Sequence, residues 1–121
     1  MTERDFKILK KVAENQRELS SYAREFQILS ASDIGKLHPT IRRGIVGFIS
    51  DLFELTKSLS SHAKTQLPLN QLVIKQFRNT STHQYGSITD SMILTCLMHC
   101  TDKDIVNAVN ELTDNYKQAD T

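Results

Sequence analysis

The chain has 121 residues, of which 39% are hydrophobic and 24% charged, the composition of an ordinary globular domain and not of a disordered tail or a membrane protein. Its formal charge of +1 supplies no overall field to gather nucleic acid or anionic lipid, so any such site must be local. No stretch approaches the roughly 20 apolar residues that a spanning helix needs.

The opening MTERDFKILKK has charge but no apolar run with a cleavage site behind it, so no secretory signal, no membrane partner and a cytoplasmic location are expected. Only 4 Gly, 2 Pro and no Trp argue against a sandwich, a barrel or a Gly-rich nucleotide fold. Helices should dominate. Thr2 followed by Asp5 is a capping-box start, and Ile8, Val12, Leu19, Tyr22, Phe26 and Leu29 then recur at helical steps. One long amphipathic helix over about residues 3–29 is predicted, its seam passing through Asn15 and its other faces carrying Lys7, Lys10, Glu14, Arg17 and Glu18. A break follows at Ser30-Ala-Ser-Asp, with a short helical turn around Ile34.

His38-Pro39 marks the next start, because proline suits the first helical turn. Ile41, Ile45, Phe48, Leu52, Leu55 and Leu59 repeat at alternating steps of four and three, widened by Ile49 and Phe53. Gly44 and Gly47 inside this helix each cost about 1 kcal/mol relative to Ala, which predicts the close approach of another helix there. Ser58 to Asn70, Ser-rich and interrupted by Pro68, reads as a loop. A third helix is predicted from about Gln71 to Arg78, with Leu72, Val73 and Phe77 as its apolar face. A buried one follows around Met92 to Met98, and a last helix is capped near Thr101-Asp-Lys-Asp104 and carries Ile105, Val106, Val109, Leu112 and Tyr116. The expected fold is one all-α domain over residues 1–121, an antiparallel up-and-down bundle of four long helices and a shorter one.

Packing does not account for residues 78–85, R-N-T-S-T-H-Q-Y. Arginine offers a planar fork matched to phosphate oxygens, and a neutral imidazole takes a proton from a ribose 2′-hydroxyl near neutral pH. Along one helix Arg78 and His83 are about one and a half turns apart and splay, so a bend near Thr80–Thr82 or a symmetric dimer is needed to bring them together.

The spacing R-x4-H-x-Y in IKQFRNTSTHQYGSI resembles the signature of the HEPN superfamily, specifically its HepT-type toxins paired with a minimal nucleotidyltransferase antitoxin (MNT). Phe53-Glu-Leu-Thr-Lys-Ser-Leu-Ser60 is similar to that family's G-E-x-x-K-x-L-S stretch. The resemblance implies a HEPN-like bundle acting as a metal-independent endoribonuclease, without a cofactor, whose site is composed at a homodimer interface. Arg78 would stabilise the scissile phosphate, His83 would act as general acid or base, and Asn79 would orient one of them or the RNA. Transfer RNA is a substrate class the family suggests. Glu54 matches an acidic family position and would orient Arg78 or His83, or form a simple salt bridge. Tyr85 matches the tyrosine that the MNT partner modifies with AMP; the added bulk and charge would block RNA. Gln84 departs from the small residue usual before that tyrosine, and Leu69-Asn-Gln-Leu-Val-Ile lacks a usual Trp and Gly.

Other readings stand beside these. Tyr85 also fits a core edge with a bonded hydroxyl. Cys96, His99 and Cys100 form C-x-x-H-C, a partial zinc set without a fourth ligand, and small buried hydrophobes explain it better. Lys36, Arg42 and Arg43 would extend an RNA surface or form a solvated face. His38 is a helix-entry residue and His62 a loop residue. The second function class is a non-catalytic HEPN-like subunit that binds substrate or docks for a nucleotidyltransferase.

Overall fold

The computed structural model describes residues 1–83 and 88–119, with the side chains of 81–83, 118 and 119 outside that description. Within the described residues the fold is all-α: α1 (Glu3–Glu25), α2 (Ala31–Gly35), α3 (Pro39–Lys57), α4 (Ser61–Thr65), α5 (Gln71–His83), α6 (Asp90–Cys100) and α7 (Lys103–Ala119). None of these helices is long and apolar enough to cross a membrane. The expected four long helices and a shorter one become five of at least 11 residues and two of 5 among the described residues.

The reciprocal Thr2–Asp5 capping box opens α1. The helix stops at Glu25, short of the predicted residue 29, because Gln27 takes φ 51°. That turn sends Ile28 into the core and leaves Leu29 80% exposed. The buried line of α1 runs through Leu9, Val12, Gln16 and Leu19, so the polar residue on the seam is Gln16 and not Asn15. Gln16 Nε2 donates to the Cys100 carbonyl at 3.1 Å, tying α1 to the end of α6.

Asp5 is also buried, and its carboxylate accepts from Ser60 N at 2.9 Å and Ser60 Oγ at 2.7 Å. Burial raises the Asp5 pKa, but the bonds from Ser60 and Thr2 outweigh it and hold the carboxyl below its ordinary value. Ser60 is itself the N-cap of α4, a single turn inside the segment predicted to be loop. Ala63 and Leu67 on this segment reach the core, which is what the Ser and Pro content concealed.

With Asp5 beside Ser60 at one end, and the Tyr22 ring tilted against Phe48 (5.9 Å between centroids) at the other, α1 and α3 run antiparallel. α7 runs antiparallel to α1 as well: Tyr116 stacks on Phe6 at 4.5 Å, while Gln16 holds Cys100 just before α7 begins. α6 packs against α2, α3 and α5. The buried line of α3 comprises Ile45, Ile49, Leu52, Phe53 and Thr56, and most of the buried hydrophobics join one cluster.

The two glycines of α3 differ. A Cβ at Gly44 would lie 3.1 Å from the Tyr22 hydroxyl, a close approach of the expected kind, whereas one at Gly47 would meet nothing within 4 Å. The expectation of close helix approach at Gly47 is therefore corrected. Gly47→Ala should stabilise the protein by about 0.4–1 kcal/mol, read as a raised denaturation midpoint with an unchanged m-value.

Candidate active site

α5 is positioned at its start by Asn70, whose Oδ1 accepts from Leu72 N at 3.0 Å and Val73 N at 3.3 Å. Asn70 N in turn donates to His99 Nε2 at 3.0 Å. Burial, opposed by Asp102, holds the His99 pKa below its ordinary value and keeps the ring in the neutral form that can accept this bond. Ile74 and Phe77 turn the helix onto the core, and Leu72, predicted to lie on the apolar face, is 71% exposed. Phe77 meets Phe53 edge-on at 5.4 Å.

Arg78, next to that anchor, emerges at the edge of the core. Its Nη2 donates to the Phe53 carbonyl at 3.2 Å, an oxygen that also accepts from Thr56 Oγ1 at 2.9 Å. Its Nε lies 3.7 Å from Glu54 Oε1. A half-exposed pair of that length contributes little to stability, so the carbonyl bond and the neighbouring Phe77–Phe53 packing set the position of the guanidinium.

The structure thus brings Arg78 and Glu54 together and leaves Asn79 exposed on α5. α5 extends to His83, past the predicted end at Arg78, and runs unbroken through Thr80–Thr82. Thr80 is accommodated by donating its hydroxyl to the Gln76 carbonyl at 2.8 Å. Positions 78 and 83 of one chain are therefore about one and a half turns apart on a continuous helix, without the bend that would converge them. The His83 side chain and the whole of Tyr85 lie outside the described residues.

Arg42 was one of three cations expected on an RNA surface or a solvated face. It is engaged instead, donating to Asp90 Oδ1 at 3.1 Å through Nε and to the Ile88 carbonyl at 2.6 Å through Nη2. It ties the chain just beyond the 78–85 segment to α3. Lys36 and Arg43 are exposed. Cys96 and Cys100 are buried free thiols, Cys96 pushed up to about 12 by burial and Cys100 raised as well. Among the described residues, no three or more His, Cys, Asp or Glu are grouped to hold a metal ion. His38 Nδ1 caps α3 by accepting from Thr40 N at 3.1 Å, and His62 sits exposed on α4.

No family model, curated protein or solved structure matches the chain.

The Asp5–Ser60, Gln16–Cys100 and Arg42–Asp90 contacts are not legible in the sequence. Each joins residues at least 46 positions apart, and no local pattern marks such a partner.

Proposed function

We propose that the chain is a metal-independent endoribonuclease of the HepT type within the HEPN superfamily, a toxin component built as an up-and-down bundle and active as a homodimer. The observation that carries this reading is Arg78 itself. It stands at the core edge of α5 with its guanidinium oriented by the Phe53 carbonyl and with Glu54 beside it, five positions before His83 on one continuous helix. An arginine fixed in this way holds a preorganised positive charge at the edge of the core, which is what charge developing on non-bridging oxygens requires. The unbroken helix favours a composite site, because a second copy brings one chain's arginine toward the other's histidine where a single chain does not.

In the proposed reaction the ribose 2′-oxygen attacks the adjacent phosphorus while His83 takes or gives the proton. The P–O5′ bond breaks, leaving a 2′,3′-cyclic phosphate and a 5′-hydroxyl. Asn79 orients the substrate or its catalytic neighbour, and transfer RNA is the substrate class to try first. A nucleotidyltransferase antitoxin of the MNT type would silence the site by attaching AMP to Tyr85, whose added negative charge repels the RNA backbone.

The test is cleavage of bulk tRNA in EDTA by protein whose intact mass shows no AMP. Wild type should generate cyclic-phosphate ends. His83→Ala should lose about 10²–10⁴-fold in rate and Arg78→Ala about 10²–10³-fold, with helicity and oligomeric state unchanged. Absence of cleavage across several RNA classes would leave the non-catalytic docking subunit as the better reading.

A further inference from the structure

Glu54, the neighbour of Arg78, borders a groove between α1 and α3 that is also lined by Glu14 and Asp51, against one cation, Lys11. Those carboxylates repel a phosphate backbone. Arg78 itself borders a small cleft between the end of α3, α4 and the start of α5, with Lys57 and Lys64 at its rim and Thr56 and Gln71 as further polar groups. Its apolar part is formed by Leu59, Leu67, Leu69 and Ile74. Among the described residues no acidic one lines it. Three cations from three helices thus surround one opening, although the chain as a whole is near neutral at +1.

We propose that this cleft is a phosphate subsite for single-stranded RNA, holding a backbone phosphate next to the one that Arg78 addresses. The proposal deepens the ribonuclease reading and rests on it for the substrate class. The cleft is small, with about 120 Å³ open to water, room for a tetrahedral oxyanion. Its apolar walls lower the local dielectric and strengthen attraction between the ammonium groups and the phosphate. Lys57 and Lys64 are exposed point charges on flexible stems, suited to holding a backbone without reading its sequence. The acidic groove bordered by Glu54 gives the strand a direction of approach: over α4 and α5, and away from α1.

Binding of a 2′-O-methyl oligoribonucleotide, which cannot be cut by 2′-hydroxyl attack, tests the subsite by fluorescence anisotropy across a salt series. Lys57→Ala/Lys64→Ala should weaken binding and reduce the magnitude of the log–log salt slope by about 0.7, the value for one phosphate on a single strand. Lys103→Ala/Lys117→Ala, which removes the same charge from exposed positions of α7, should leave the slope unchanged. Wild-type binding and slope in the Lys57/Lys64 variant would overturn the subsite, as would an equal loss in the Lys103/Lys117 variant or no binding by the wild type. Because the oligonucleotide is not cleaved, the two readings fail separately. Lysine-dependent binding without cleavage of tRNA keeps the subsite and removes the ribonuclease, while cleavage that is indifferent to both lysines does the reverse.

Discussion

Phe77→Ala will cost about 3–5 kcal/mol of stability, the range for removing a fully buried aromatic ring from a packed core. Phe77 is 1% exposed and meets the equally buried Phe53 edge-on, so truncation leaves a cavity between α3 and α5 at the level of Arg78. Chemical denaturation followed by far-UV circular dichroism measures the loss. Phe77→Leu, which keeps more of the volume, will cost less. A loss below about 1 kcal/mol in the alanine variant would mean that α5 is not anchored through this ring. The same ring precedes the arginine, so Phe77→Leu should impair whatever Arg78 does by more than its stability loss alone accounts for.

Asp5→Ala will lower stability by about 2–4 kcal/mol, combining the lost reciprocal cap of α1 with an unanswered Ser60 N–H. The effect depends on pH with a definite sign. The folded-state pKa of Asp5 lies below the ordinary 3.8 because of the Ser60 and Thr2 bonds. The stabilisation is therefore complete above that ordinary value and is lost as pH falls through the folded-state pKa. Wild type and Asp5→Ala should differ fully at neutral pH, and the difference should begin to narrow only as pH falls below about 3.8, shrinking further through the folded-state pKa. A difference that stays constant into acid would show that the carboxylate's charge is not what holds Ser60.

The elements legible in the sequence are those defined by local chemistry. The Thr2–Asp5 box, the His38-Pro39 entry and the broad apolar stripe of α3 all specify their own surroundings, and the all-α class follows from them. Less legible were features decided by distant contacts. The apolar pattern at Phe26 and Leu29 continues past the point where Gln27 turns the backbone, and nothing local distinguishes Ile28, which is buried, from Leu29, which is not. A seam one residue away, at Gln16 and not Asn15, follows from a donor to Cys100 that is 84 positions distant. α4 was hidden because its stability comes from Asp5 holding its cap, a bond across 55 positions. At the candidate site the residue types were readable from the 78–85 segment and from its resemblance to a known signature. The orientation of Arg78 was not, since it depends on the Phe53 carbonyl and on the packing of Phe77 against a ring of another helix.

The Gln16–Cys100 bond also orders events during synthesis. At about 5–20 residues per second, its acceptor is made some 4–17 s after its donor, given the 84 positions between them. For that interval the faces of α1 that meet α6 and α7 have nothing to pack against, and the Phe6 ring has no Tyr116 to stack on. The first helix made is thus the last to be enclosed. A nascent chain already carries Arg78 before the core that orients it can close.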